Sequence, residues 1–254
     1  LPGVPSECRY LAEHALLPYL ARLHGQVIRS HDLRIFGLTE PQVQELLSDL
    51  LRREDDLTLA PYAGTGEVSL HLSARAADEA ACEARMAPLL AEVRQRLGGY
   101  LYGEDISGLE EAVFRLCRDR HLTLSAAESC TGGLIAKRLT DVPGASQIFL
   151  GGVVSYTNEV KNHVLGVPAS LLEAYGAVSA PVARAMAVGV RVLIGSDLSL
   201  SVTGLAGPGG DDRGTPVGTV FTALSAPEGV FVRRLTLGGS RERIRVLSAH
   251  HAFD

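Results

Sequence analysis

Alternation of strand-like and helical segments is the feature that most constrains the fold of this chain. In the second half, apolar runs typical of buried strands are separated by segments with helical spacing and capping residues. The predicted elements are a helix opened by a capping box at 107–110, strand 122–127, a helix to residue 139, strand 148–156, helix 179–194, strands 198–203, 217–225 and 230–237, and a helix from residue 240. This order predicts a layered α/β/α domain over residues 104–254.

A smaller α+β domain is expected before it, over residues 26–103. Its pattern is β-α-β-β-α: strand 27–36, a helix capped at Thr39, a hairpin whose strands 57–62 and 67–74 flank a Gly-containing turn, and helix 76–97. Gly98 and Gly99, followed by residues 100–105, indicate a joint between the domains. Residues 1–25 look like a helical leader kinked at Pro18.

Composition excludes several classes of protein. The 254 residues carry 24 Lys+Arg against 29 Asp+Glu, a net charge of −5, so no overall field attracts nucleic acid or an anionic membrane. No run approaches the roughly 20 apolar residues of a membrane helix. The four cysteines are widely spaced, which suits a reducing compartment and gives no zinc or disulfide pattern. We expect a cytoplasmic protein with no metal, no cofactor and no membrane partner.

Ser129 lies where a predicted strand turns into a helix, within Ala-Glu-Ser-Cys-Thr-Gly-Gly at 127–133. Backbone N–H groups are free at such a turn and can stabilise an oxyanion or hold a phosphate, and glycines allow close approach. The alternative is an ordinary N-cap serine followed by tolerated glycines. Cys130 could be an alternative nucleophile, but its side chain points away from that of Ser129, which favours a packing role.

Lys161 is one of only two lysines, beside 22 arginines. A lysine can lose its proton when desolvated and act as a base, whereas an arginine cannot. Lys161 follows the polar end of strand 148–156, a position from which it can approach Ser129, although a surface lysine fits the spacing equally well. Lys137 lies eight residues beyond Ser129 on one helix, about 12 Å along its axis, and is interpreted as a solvated charge.

Two further segments are candidates for binding. Thr203 ends a predicted strand and enters a Gly-rich loop at 204–210, whose backbone N–H groups could face a polar ligand or simply form an exposed loop. Residues 233–245 carry five arginines and one glutamate, an anion site or a charged solvent face.

Four motifs together resemble the C-terminal domain of the CinA (competence/damage-inducible) family, over about residues 105–254. They are Ala-Glu-Ser-Cys-Thr-Gly-Gly at 127–133, Gly-Gly-Val-Val-Ser-Tyr-Thr-Asn-Glu-Val-Lys at 151–161, Gly-Ala-Val-Ser at 176–179 and Thr-Gly-Leu-Ala-Gly-Pro-Gly-Gly at 203–210. The resemblance implies hydrolytic deamidation of nicotinamide mononucleotide to nicotinate mononucleotide and ammonia, in pyridine-nucleotide salvage. A homodimer is also expected.

The resemblance assigns roles to individual residues. Ser129 would be the nucleophile, Lys161 its base and Tyr156 an orienting partner. Arg241 and Arg245 are similar to the family's phosphate-end arginines, and the motifs do not decide between them. The remaining residues expected to bind substrate are Cys130, Thr131, Gly132, Gly133, Thr203, Gly204, Ala206 and Gly207.

Residues 1–7 resemble the tail of the molybdopterin-binding-like domain that comes first in full-length members of the family, so residues 1–25 are expected to be the remnant of a lost N-terminal domain. Residues 26–103 resemble the family's KH-like middle domain but predict no nucleic-acid binding. Residues 1–103 contain no G-x-x-G loop and carry 10 Lys+Arg against 14 Asp+Glu, a balance of −4. The alternative to the amidohydrolase is a catalytically idle nucleotide-sensing or scaffold module in competence or the DNA-damage response. Release of ammonia from nicotinamide mononucleotide discriminates between the two.

Overall fold

The structure, a computed structural model, describes residues 2–23, 25–53 and 56–254. The chain divides into two compact units, Leu1–Ile106 and Ser107–Asp254. Both mix helices with one five-stranded sheet, which confirms the predicted α/β class. No helix in the described part of the chain combines the length and apolar composition that crossing a membrane requires.

The first unit is built on an antiparallel sheet of order β2-β3-β4-β1-β5. Its elements are helices α1 (Pro5–Leu11) and α2 (Leu17–Leu23), strand β1 (Val27–Phe36), helix α3 (Glu40–Leu46), strands β2 (Arg52–Arg53), β3 (Leu57–Ala63) and β4 (Glu67–Ala76), helix α4 (Glu79–Leu97) and strand β5 (Leu101–Glu104). The apolar face of α4 packs on the sheet, where Met86 and Val93 are fully buried.

Three details of this unit differ from the sequence prediction. The kink of the leader is a wider π-helical turn, Ala12–Leu16, because the ring of Pro18 has no N–H and crowds the preceding turn. Helix α4 begins at Glu79 rather than at residue 76, since Asp78 caps it by accepting the N–H of Ala81 at 2.8 Å. The expected joint at 100–105 contains β5, which pairs antiparallel with β1.

The second unit has a mixed sheet of order β10-β9-β8-β6-β7. Its elements are α5 (Leu109–Asp119), β6 (Leu124–Glu128), α6 (Leu134–Asp141), β7 (Phe149–Val154), α7 (Asn158–His163), α8 (Ala169–Tyr175), α9 (Ala180–Ile194), β8 (Leu198–Gly204), β9 (Thr219–Ala226), β10 (Gly229–Thr236) and α10 (Arg241–Phe253). Strand β6 lies between β8 and β7 and runs parallel to both, whereas β9 is antiparallel to its two neighbours, β8 and β10. The carboxyl ends of three strands therefore meet at one edge.

Helix α9 packs against one face of this sheet, and it sits close because the facing residues are small. The buried hydroxyls of Ser199 and Ser201 on β8 donate to the carbonyls of Ala187 and Ala183 on α9, at 2.6 and 2.7 Å. These bonds satisfy polar groups that water cannot reach. Helices α5 and α10 border the alternate residues of β8, Leu198 and Leu200, so helices cover both faces of the sheet.

The capping box at the start of α5 is displaced by one residue from its predicted position. The N–H and hydroxyl of Ser107 donate to the carboxylate of Glu111, at 2.8 and 2.9 Å, and not to Glu110. Glu110 instead pairs with Arg138 of α6 at 2.5 Å. Helices α7 and α8 were not predicted, although α7 carries Lys161.

Candidate active site

Ser129 follows the last residue of β6, at the edge where the carboxyl ends of β6, β7 and β8 meet. Its backbone N–H donates to the carbonyl of Val202 on β8 at 2.9 Å, which ties the serine to the neighbouring strand. Ser155 and Tyr156 follow β7, and Thr203 lies near the end of β8. Parallel pairing thus brings together three segments that are far apart in the sequence.

Lys161 reaches this edge from α7. Its Nζ lies 3.1 Å from Ser129 Oγ and 2.6 Å from the carbonyl oxygen of Ser155. Helix α7 is short, and the Thr157 hydroxyl caps it by accepting the N–H of Val160 at 3.4 Å. At this separation a neutral Lys161 amine can accept the hydroxyl proton of Ser129, which is the geometry of a nucleophile and its base.

Burial makes Lys161 chemically unusual. The side chain is only 1% exposed, and desolvation lowers its pKa from the ordinary value of 10.5 to about 8. At neutral pH roughly a tenth of Lys161 is therefore in the uncharged form, far more than for an exposed lysine. Lys137, as predicted, is a surface charge that pairs with Asp141 at 2.5 Å.

The turn after Ser129 is held on both sides. Glu128 lies beneath it, and its carboxylate accepts backbone N–H groups of Gly133 and Ala136, both at 2.9 Å. On the other side, Arg245 donates to the carbonyls of Cys130 and Thr131, at 3.1 and 2.7 Å. Arg245 therefore positions the turn.

Two backbone N–H groups of this turn differ from those that follow because they have no carbonyl acceptor among the described residues. They belong to Cys130, which lines the pocket described below, and to Thr131, which is fully buried. The Gly132 N–H donates to Ser129 O at 3.1 Å, and the Gly133 N–H donates to Glu128. Gly132 and Gly133 have φ of 61° and 95°, left-handed conformations that favour glycine. The glycines shape the turn, and their N–H groups are already used.

Arg241 and Tyr156 form the exposed wall of the site. The guanidinium of Arg241 donates to the Tyr156 hydroxyl at 2.9 Å and to the Gly207 carbonyl at 2.5 Å. Tyr156 is 57% exposed, so this wall faces solvent. Of the two arginines Arg241 and Arg245, only Arg241 lines the pocket, so the two have different positions in the site.

These groups border a pocket of about 240 Å³. Nine of the predicted site residues line it: Ser129, Cys130, Tyr156, Lys161, Thr203, Gly204, Ala206, Gly207 and Arg241. The other four do not line it: Thr131, Gly132, Gly133 and Arg245. Lining residues that the sequence analysis missed are Ala177, Val178, Leu205 and Gly209. The first two lie within the Gly-Ala-Val-Ser motif, for which the sequence predicts no role.

Two residues have different surroundings from those expected of reactive groups. Burial raises the pKa of the Cys130 thiol to about 11, so it stays protonated and is a poor nucleophile. The Thr203 hydroxyl is buried and donates to the Ala177 carbonyl at 2.8 Å, which fixes the wall of the pocket.

Family comparisons agree with this architecture. Residues 106–254 match the model described as CinA C-terminal domain, and residues 30–103 match the Damage-inducible protein CinA KH domain. The chain therefore belongs to the CinA family, which confirms the resemblance seen in the four motifs.

Individual relatives show how much of a CinA protein is present. The chain is 47% identical over its whole length to a putative competence-damage inducible protein of Caldanaerobacter subterraneus subsp. tengcongensis, and 48% identical to another from Symbiobacterium thermophilum. It spans 61% and 62% of the length of these curated relatives.

Solved structures match the C-terminal part. A competence damage-inducible protein A from Klebsiella pneumoniae is 34% identical, with a TM-score of 0.56, over 57% of this chain and 90% of that one. A competence/damage inducible protein from Agrobacterium tumefaciens is 38% identical, with a TM-score of 0.55, over 57% and 89%.

Proposed function

We propose that the second unit hydrolyses the carboxamide of nicotinamide mononucleotide, giving nicotinate mononucleotide and ammonia. The observation that carries this proposal is the contact between Lys161 Nζ and Ser129 Oγ, 3.1 Å long and buried. Amide hydrolysis needs an activated hydroxyl, a neutral base and donors for the oxyanion. Ser129, Lys161 and the backbone N–H group of Cys130 are our candidates for these three roles.

Acylation uses the neutral form of Lys161. Ser129 Oγ attacks the carboxamide carbon and forms the C–O bond, while its proton moves to Lys161 Nζ. The backbone N–H group of Cys130, which lines the pocket, is our candidate donor to the developing oxyanion. Collapse breaks the C–N bond, and the Lys161 ammonium returns its proton to the leaving nitrogen, which departs as ammonia.

Deacylation reverses the roles with water. A water molecule attacks the Ser129 ester and gives a proton to Lys161, and the C–O bond to the serine then breaks. Lys161 returns the proton to Ser129 Oγ, which restores the enzyme and releases the carboxylate product. One water is consumed for each ammonia formed, and no redox step occurs.

Arg241 is proposed to bind the substrate phosphate. Its guanidinium is held in place by Tyr156 and Gly207 and lines the pocket, so a bidentate contact with phosphate needs little reorganisation. Tyr156 thus orients Arg241. The N-terminus of α6 is not available to a phosphate because Glu128 already accepts its N–H groups.

The experiment is incubation of the purified chain with nicotinamide mononucleotide, with ammonia measured enzymatically and binding measured by calorimetry. We expect stoichiometric ammonia and nicotinate mononucleotide from the wild type and none from Ser129→Ala, which should still bind. Binding by the wild type without ammonia would support a nucleotide-sensing module instead.

A further inference from the structure

Glu128 is a buried carboxylate at the base of the candidate active site. It ends β6, immediately before Ser129, and is 1% exposed. Its Oε2 accepts the N–H groups of Gly133 and Ile135, at 2.9 and 3.1 Å, and its Oε1 accepts that of Ala136 at 2.9 Å. Three N–H donors to one carboxylate compensate its desolvation without a cation.

These hydrogen bonds connect the two ends of the turn that carries Ser129. The side chain of residue 128 is joined to the first turn of α6, so the ends of the connecting turn at 129–133 cannot separate. Arg245 holds the carbonyl side of the same turn through Cys130 and Thr131. The turn that carries Ser129 is therefore fixed by the Glu128 carboxylate on one side and by the Arg245 guanidinium on the other.

The backbone of Glu128 also reaches the base. Its carbonyl accepts the N–H of Ser155 at 2.7 Å, and the Ser155 carbonyl accepts Lys161 Nζ at 2.6 Å. The carboxylate orients the nucleophile, and the carbonyl helps to place the residue that holds the base.

We propose that Glu128 is a positioning residue for attack by Ser129, an inference that rests on the proposed function. Glu128→Gln preserves the size of the side chain, but its single amide oxygen can accept hydrogen bonds from only some of the three N–H groups. The amide NH₂ group can only donate, so it then meets a backbone N–H that also needs an acceptor. The turn must shift, and small displacements of a nucleophile are costly. We expect kcat to fall on the order of 10-fold, with KM changed by less than about twofold.

The test compares Glu128→Gln with Glu110→Gln in the full chain. Glu110 is also a largely buried carboxylate of this unit, paired with Arg138 rather than with the Ser129 turn. Steady-state kinetics with nicotinamide mononucleotide are measured beside the rate at which a fluorophosphonate labels Ser129. In that reaction the Ser129 Oγ–P bond forms, the P–F bond breaks, fluoride leaves and the serine proton passes to Lys161.

For Glu128→Gln we expect kcat and the labelling rate to fall together, while KM and the pH of half-maximal activity stay unchanged. For Glu110→Gln we expect a lower melting temperature, with kinetics and labelling like those of the wild type. Wild-type labelling and turnover in Glu128→Gln would overturn the proposal, as would a fall in turnover with normal labelling. If the wild type releases no ammonia, the proposed function fails, and the labelling comparison still decides the role of Glu128.

Discussion

Lys161 and Lys137 are the two lysines of the chain, and they have opposite surroundings, one buried beside Ser129 and one 67% exposed. Lys161→Arg keeps the positive charge but removes the neutral form that takes the serine proton. We expect turnover to fall on the order of 10²-fold or more, while nucleotide binding survives. Lys137→Arg is the matched control and should leave turnover unchanged. Substantial turnover by Lys161→Arg would show that another group is the base.

The pH dependence of activity follows from the same residue. The pKa of Lys161 is lowered to about 8, so the proposed base is protonated and inactive below that pH and neutral and active above it. We expect kcat/KM to increase about tenfold per pH unit below that pKa and to level off above it. A profile measured between pH 6 and 9.5 checks this. A flat profile across pH 8 would contradict a neutral Lys161 as the base.

The two arginines of α10 should have separable effects. Arg241 lines the pocket, so Arg241→Ala should mainly raise KM for nicotinamide mononucleotide and reduce its preference over nicotinamide riboside, which has no phosphate. Arg245 holds the turn carbonyls, so Arg245→Ala should mainly lower kcat. Full kinetics with both substrates measure the split. An unchanged phosphate preference in Arg241→Ala would exclude it as the phosphate residue.

At the scale of elements, α9 depends on a glycine at a close contact. Alanine normally stabilises a helix interior by about 1 kcal/mol relative to glycine. A Cβ at Gly189, however, would lie 2.0 Å from the backbone carbonyl oxygen of Leu165, in the segment after α7. We expect Gly189→Ala to lower the melting temperature. Val192→Ala, at a position 78% exposed on the same helix, is the control and should change little. A stabilised Gly189→Ala would contradict this packing.

The elements also show why part of the site could be predicted and part could not. Strand β1 matched its predicted bounds because its alternation and the following turn are local signals. The approach of Lys161 to Ser129 could be predicted from the scarcity of lysine and from the position of Lys161 just after a predicted strand, and the family resemblance assigned their roles. The hydrogen bonds of the Glu128 side chain could not be predicted, because they depend on how the turn places the N–H groups of Gly133, Ile135 and Ala136. Likewise, Arg245 contacts carbonyls more than one hundred residues away, which no spacing indicates.

At the scale of the whole molecule, the second unit should function alone. The Klebsiella pneumoniae structure matches over 90% of its own chain, so that chain consists almost entirely of this unit. We expect residues 107–254, expressed separately, to keep the kcat and KM of the full chain within about threefold, since every pocket residue lies in this range. Parallel assays of both proteins measure this. Loss of activity in a folded fragment would show that the first unit contributes to the site.

The scarcity of lysine has a practical consequence for handling the protein. Amine-directed reagents react with exposed, deprotonated amines, so of the two lysine side chains only Lys137 is accessible to them, because Lys161 is enclosed. Immobilisation on an activated support or attachment of a fluorophore through one of these lysines should therefore occur at one position. The linkage would lie on the exposed side of α6, at a residue that does not line the pocket.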